Sequence, residues 1–165
     1  MTEIIKIEDK NILSQIAVLA DEIWHECFRE ILSKEQIDYM VEKFQSYNAM
    51  KNQIDNQNYT YFSVKNNNTL CGYFAVKPET DNRLFLSKLY LKQKARGQGI
   101  ARKMLERVFE EALNFSKKKI YLTVNKYNSH AISVYKKVGF NIIGEPVTDI
   151  GNGYVMDDYI MEYIL

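Results

Sequence analysis

The sequence predicts an α+β domain built around one mixed, largely antiparallel sheet, and three observations carry that prediction. Segments with the two-residue alternation of strands and segments with the three-to-four-residue recurrence of helices are interleaved along the chain. Two strand-like segments are joined by a run of asparagines, the mark of an antiparallel hairpin. Two others flank an amphipathic stretch, which makes them parallel neighbours through a right-handed crossover.

In order, Thr2 to Ile7 alternates as a short strand, and Ile12, Ile16, Leu19, Ala20, Ile23 and Cys27 fall on one face of a helix reaching Phe28. Ser33, with Gln36 three residues on, opens a second helix whose face is Ile37, Met40, Val41 and Phe44. Residues 45–58 are polar and show no period. "YTYFSVK", the asparagines at 66–68 and "TLCGYFAVK" form the hairpin, because asparagine tolerates left-handed backbone angles. A third strand, "RLFLSKLYLK", follows Pro78 to Asn82. Leu84 and Leu86 share one parity there and Leu89 and Leu91 the other, as an extra residue near Ser87 and Lys88 produces. From Ala101, Leu105, Val108, Phe109, Ala112 and Phe115 recur at helical spacing, and "KIYLTVN" alternates as a strand. A helix from Asn128 to Lys137 stops at Gly139, and "FNIIGEPV" and "GYVMDDYIMEYIL" supply two closing strands.

A length of 165 residues fits a single domain over 1–165, and 46% apolar residues are ample for its core. With 22 basic against 21 acidic residues the net charge is +1, which gives little attraction for nucleic acid or a membrane surface. The charge is unevenly spread. Basic residues dominate from Lys88 to Lys119, whereas 138–165 holds no Lys or Arg and carries Glu145, Asp149, Asp157, Asp158 and Glu162. Cys27 and Cys71 stand alone, so no disulfide framework and no metal site is expected, and reduced thiols fit a cytoplasmic protein. The N-terminus lacks the charged flank and apolar stretch of a signal peptide, and no run approaches the roughly 20 apolar residues that span a bilayer.

The join between the third strand and the helix after it, "QKARGQGIARKML", carries the chemistry. A helix N-terminus offers unpartnered N–H groups and roughly half a positive charge, so a phosphate there gains hydrogen bonds and dipole stabilisation together. Gly97 and Gly99 let a ligand approach the backbone, Arg96 and Arg102 add charged donors, and the small Ala101 lets the helix start tight on the sheet. Two familiar nucleotide motifs fail. The dinucleotide fingerprint needs glycine where Arg102 stands, and the nucleoside triphosphate loop needs a Gly-Lys-Ser/Thr ending.

Arg96-Gly97-Gln98-Gly99-Ile100-Ala101 fits the acyl-CoA signature Q/R-x-x-G-x-G/A. "NSHAISVYKKVGF" fits N-x-x-A-x-x-x-Y-x-x-x-G-F at Asn128, Ala131, Tyr135, Gly139 and Phe140. In these two motifs, in this order and separation, the chain resembles the GNAT superfamily of acyl-CoA-dependent N-acetyltransferases. The close match covers roughly residues 83–140, and the order of the other elements agrees with the family fold. "EILSKEQIDYM" and "GNGYVMDDYIMEY" also resemble bacterial members grouped with polyamine acetyltransferases.

The resemblance implies helices on both faces of the sheet, acetyl-CoA as acyl donor without a metal, and a primary amine as acceptor. It implies that Arg96, Gly97, Gln98, Gly99, Ile100, Ala101 and Arg102 hold the pyrophosphate, that Leu89 and Leu91 line the pantetheine as a pseudo-strand, and that Asn128 and Ala131 touch it. Asn128 is also an N-cap. Tyr135 is implied as the acid that protonates the departing thiolate. The amine, almost wholly protonated near neutral pH, needs a base or water relay. Many relatives carry a Glu on the strand before the loop, where this chain has Ser87 and Lys88, leaving Glu26, Glu30, Asp157, Asp158 and His25 as candidates. The acidic closing segment, with Trp24, Tyr39 and Tyr154 as aromatic faces, suits a small cationic amine such as a polyamine. A non-catalytic acyl-CoA-binding module and an enzyme acting on a protein N-terminus are the alternatives, with a nucleic-acid binder ranked last. By the family's habits an edge strand at the C-terminus can pair two copies into a homodimer.

Overall fold

A computed structural model describes residues 1–165. The elements run β1 (Thr2–Lys6), α1 (Lys10–Phe28), α2 (Lys34–Met40), a π turn (Val41–Gln45), α3 (Tyr47–Asn56), β2 (Thr60–Asn66), β3 (Thr69–Pro78) and β4 (Arg83–Leu91). A 3₁₀ turn (Gln93–Ala95) leads to α4 (Ile100–Asn114), β5 (Lys119–Asn125), α5 (Ser129–Val138), β6 (Asn141–Gly144), β7 (Val147–Gly151) and β8 (Tyr154–Ile164). The sheet is mixed and mostly antiparallel, with β4 and β5 parallel. The residues gather into two compact units, Met1–Lys77 with Leu86–Glu111, and Pro78–Phe85 with Ala112–Leu165.

In the first unit β1 lies antiparallel on β2, and β2 on β3. Asn67 and Asn68 at the hairpin have φ of 50° and 65°, the left-handed angles expected of the asparagine turn. Leu13, Ile16, Leu19, Ala20 and Ile23 form the stripe of α1 and pack with Met50, Tyr61, Tyr73 and Ala75. The helix begins three residues before that stripe because Asp9 Oδ1 accepts a hydrogen bond from Asn11 N at 2.7 Å. Ser33 caps α2 through Gln36 N at 3.1 Å, as its spacing predicts.

Two features depart from the sequence reading. The expected continuous helix through Phe44 widens into the π turn, which buries the polar Gln45, and Gln45 Oε1 accepts a hydrogen bond from the Tyr73 hydroxyl at 2.8 Å. The patternless stretch after it folds as α3, started by Ser46 Oγ on Ala49 N at 3.2 Å, with only Met50 and Gln53 buried. Near β4, the backbone bonds Glu79 N to Arg83 O and Lys92 N to Cys71 O differ in register by one residue, as a single-residue bulge between them requires.

In the second unit β5 pairs in parallel with the first residues of β4, from Arg83↔Lys119 to Phe85↔Tyr121, and antiparallel with β8 along its whole length. Gly139 ends α5 at φ 120°, and a Cβ there would lie 2.9 Å from Tyr163 Cε2, so a side chain is excluded by angle and by space. "FNIIGEPV" is broken: β6 and β7 flank Glu145 and Pro146, and each pairs with β8. Proline cannot continue a ladder as a donor, but Pro146 O accepts from Asp158 N at 3.1 Å.

Candidate active site

The loop into α4 is held at its two ends and open between them. Arg96 N donates to Gln93 O at 3.1 Å and Lys103 N to Gly99 O at 3.3 Å, while no amide from Gly97 through Arg102 donates to a protein acceptor. Gly97 and Gly99 have φ of 76° and 77°, and nothing lies within 4 Å of the Cβ either would carry. The loop therefore needs glycine for its angles and keeps its amides bare, which is a concave set of donors at the positive end of a helix dipole.

The side chains around it are anchored. Ile100 is buried and Ala101 half-buried at the start of α4. Arg96 Nη2 lies 2.7 Å from Cys27 Sγ on α1, and Arg102 Nε bonds Glu106 Oε1 at 3.1 Å. Gln98 accepts from Asn66 Nδ2 and donates to Lys94 O, each at 3.3 Å. Arg96 is thus ordered by α1, whereas Arg102 lies along the surface of its own helix. On β4, Leu91 is buried and Leu89 half-buried.

Lys88, also on β4, is a buried cation that the strand's pattern did not announce. Its Nζ donates to Phe44 O at 2.5 Å, Gln53 Oε1 at 2.9 Å and the Tyr61 oxygen at 2.6 Å, and the residue is 4% exposed. No carboxylate neutralises it, and burial drops its pKa to about 7. The Lys88 side chain is consumed in tying the π turn and α3 to β2, so it offers no accessible base.

Tyr135, Asn128 and Ala131 lie in the second unit. Asn128 Oδ1 accepts from Ala131 N at 3.3 Å, so the cap is real and its amide nitrogen remains free. Tyr135 is 8% exposed, its ring edge-on to Phe140 at 5.6 Å. Its hydroxyl makes no hydrogen bond to the protein, and burial pushes its pKa up, which keeps the phenol protonated. In the same unit the β4–β5 ladder ends at Phe85↔Tyr121, so β5 from Leu122 to Asn125 has a strand partner only on its β8 side.

Of the other candidate bases, His25 is spoken for. Its Nδ1 bonds Asp21 O at 2.8 Å and its Nε2 bonds Asp38 Oδ1 at 2.6 Å. The Asp21 carbonyl and the Asp38 carboxylate both raise its pKa, and a ring donating from both nitrogens has no lone pair for another proton. Glu26 Oε2 lies 3.5 Å from Gln93 N, at the edge of an open cleft of about 580 Å³ that also carries Arg29 and Lys34. Glu30 is exposed beside Arg29. Trp24 is 5% exposed and packs on Phe28 at 4.6 Å and Tyr90 at 5.5 Å, so it serves the core and presents no free face to a cation.

The acidic segment is mostly paired. Glu162 Oε1 lies 3.4 Å from Lys119 Nζ, Asp157 Oδ1 lies 3.0 Å from Lys126 Nζ, and Asp149 caps Gly151 N at 2.8 Å. Asp158 is 8% exposed and no protein group bonds its carboxylate, while Asp157 Oδ1, though near Lys126, is buried without an aligned hydrogen bond. Burial first and the Asp157 charge second raise the pKa of Asp158 to about 6. Sequence reasoning named Asp158 only among several acids; nothing in the "DD" pair tells which member turns inward until the β5–β8 register is known.

The family model described as Acetyltransferase (GNAT) family matches residues 19–140. The chain is 31% identical over 78 residues to a spermine/spermidine N(1)-acetyltransferase of Bacillus subtilis, covering 44% of this chain and 51% of that one. It is 34% identical over 67 residues to a thialysine N-epsilon-acetyltransferase of Sus scrofa, covering 41% and 39%. The matched stretches thus span about half or less of these relatives. In three dimensions it superposes on the PaiA N-acetyltransferase of Thermoplasma acidophilum, crystallised with coenzyme A, with a TM-score of 0.82 at 23% identity over 100% of this chain and 99% of that one.

Proposed function

The chain belongs to the acetyltransferase (GNAT) family, and from that premise we propose that it transfers an acetyl group from acetyl-CoA to a primary amine, with a small polycation such as a polyamine as acceptor. The observation that carries the reading is the row of bare amides from Gly97 through Arg102 at the start of α4. Such a row matches a diphosphate, whose oxygens accept several hydrogen bonds at once and gain from the dipole. In this reading Arg96, Gly97, Gln98, Gly99, Ile100, Ala101 and Arg102 hold the diphosphate, and Leu89, Leu91, Asn128 and Ala131 hold the pantetheine.

The unpaired edge of β5 supports the pantetheine assignment, since its free backbone groups can bond an extended amide chain as a strand would. Tyr135 is the general acid: its buried phenol is protonated at neutral pH and its hydroxyl has no competing partner. Similarity to the polyamine and thialysine enzymes supports an amine on a flexible cationic chain as acceptor. The test is incubation with acetyl-CoA and a panel comprising a polyamine, a diamine, a lysine analogue and a peptide N-terminus, following free thiol and product mass. Acetylated polyamine with stoichiometric thiol is expected. Binding of acetyl-CoA without thiol release for any amine would make the protein a carrier-binding module instead.

A further inference from the structure

The β5–β8 register decides which way the two adjacent aspartates point. Asn125↔Asp158 and Thr123↔Ile160 stand on one face of the sheet, and Val124↔Tyr159, Leu122↔Met161 and Ile120↔Tyr163 on the other. Tyr163 meets Phe140 at 5.5 Å, and Phe140 meets Tyr135. Asp157 turns toward Lys126. Asp158 therefore stands on the sheet face opposite the one that carries Tyr163, Phe140 and Tyr135, directly across from Asn125 at the end of β5 whose other edge is unpaired.

A thioester carbon is approached by its nucleophile from one direction and left by sulfur in another, so an acid and a base on opposite faces of the sheet suit such a carbon at the free edge of β5. We propose that the Asp158 carboxylate is the general base of the transfer, taking a proton from the acceptor's ammonium. The assignment rests on the acetyltransferase reading above. The neutral amine so formed donates its lone pair into the N–C bond to the acetyl carbonyl, and the C–S bond breaks. Sulfur takes the Tyr135 proton, the second proton of the attacking nitrogen restores Tyr135, and Asp158 passes its proton to solvent. One ammonium and one thioester give one amide, one thiol and one released proton.

The ionisable groups around Asp158 are few. Asp157 on its own strand raises its pKa, and Lys126 on the turn after β5 lowers it. Glu145 and Tyr159 act on Lys126 in turn. A carboxyl with a pKa of about 6 is ionised at pH 7.5 and still basic enough to hold the proton briefly. No protein donor bonds its carboxylate, which leaves both oxygens available to an ammonium donor.

The test compares wild type, Asp158→Asn and Asp158→Glu in kcat and KM against pH, with a polyamine and with a weakly basic amine that is already neutral at pH 8. In Asp158→Asn we expect kcat for the polyamine to fall at least ~100-fold at pH 7.5, within the usual range for loss of a general base. The acidic limb of its profile should vanish, KM for acetyl-CoA should stay within twofold, and the neutral amine should react nearly as in wild type. Asp158→Glu should recover part of the rate with an acidic limb. An Asp158→Asn enzyme within threefold of wild type, one that keeps the acidic limb, or one altered only in the amine's KM would overturn the assignment while leaving the acetyltransferase reading intact. Absence of turnover by wild type with every amine would instead remove that reading, and the base with it.

Discussion

Lys88 Nζ lies 2.6 Å from the Tyr61 hydroxyl oxygen, and the same hydroxyl donates to Gln53 Oε1 at 2.5 Å, closing a buried ring of three side chains around one charge. All three ammonium protons are used, since Phe44 O and Gln53 Oε1 take the other two. The ring joins β4, β2, α3 and the π turn, and its acceptors are all neutral. A charge so placed is satisfied in hydrogen bonds but uncompensated in the Coulombic sense, which is why its pKa falls to about 7.

This gives stability a pH dependence with a definite sign. The folded pKa of Lys88 lies below the ordinary value of 10.5, so between about 7 and that value the unfolded chain binds more protons than the folded one. Stability from this group therefore rises with pH across that window and is lowest below pH 7. Denaturant unfolding of wild type at pH 7, 8 and 9 should show a positive slope, of up to about 1.4 kcal/mol per pH unit, that Lys88→Met lacks. Equal slopes in the two proteins would mean that Lys88 is solvated in the folded state.

Asp158 gives the opposite window. Its folded pKa of about 6 stands above the ordinary 3.8, so the folded chain holds the proton longer, and the group's contribution falls as pH rises from about 4 to about 6. At pH 8 the carboxylate carries its burial penalty, reduced by the solvent that screens it. Asp158→Asn should then be more stable than wild type at pH 8, by on the order of 1 kcal/mol, and nearly equal to it at pH 4. Thermal unfolding at the two pH values measures this without any substrate, and a less stable variant at pH 8 would show that the carboxylate has a partner when folded.

Where local rules act alone, the sequence was legible. Ser33 and Gln36 announced α2 and Asn67 and Asn68 the hairpin, and the backbone register along β4 agrees with the parity change in "LFLSKLYL". What stayed hidden depends on partners distant in the chain. The π turn exists because Tyr73 and Lys88 hold Gln45 and Phe44 from other strands, and α3 is kept in place by a polar Gln53 instead of an apolar stripe. The same holds for the candidate site: its loop is local and was read, whereas the burial of Lys88 depends on Phe44, Gln53 and Tyr61, and the face that Asp158 takes depends on the β5–β8 register.

Gly97 and Gly99 make a prediction that separates loop shape from protein stability. Open space surrounds the Cβ of either, so Gly97→Ala meets no clash, but at φ 76° an L-residue is strained by about 1–2 kcal/mol. The loop is expected to relax out of the left-handed region and turn its amides aside. Affinity for coenzyme A should fall at least ~10-fold, equivalent to about 1.4 kcal/mol, with little change in the unfolding midpoint. Titration calorimetry with coenzyme A measures it; unchanged affinity would place the diphosphate elsewhere.

Tyr135→Phe isolates the acid. The hydroxyl bonds no protein group, so its removal breaks nothing in the fold, and the ring keeps its edge-on contact with Phe140. Stability should be nearly unchanged, because the hydroxyl contributes no hydrogen bond to the protein. The thiolate of coenzyme A, however, would have to leave unprotonated or wait for water. With a polyamine acceptor kcat should drop ~100-fold or more while the dissociation constant of acetyl-CoA stays within twofold. An alternative acyl donor whose thiol is much more acidic should restore most of the rate, since its thiolate leaves without help. Should the variant turn over like wild type with acetyl-CoA, the proton must come from solvent, and the buried phenol would be a packing residue.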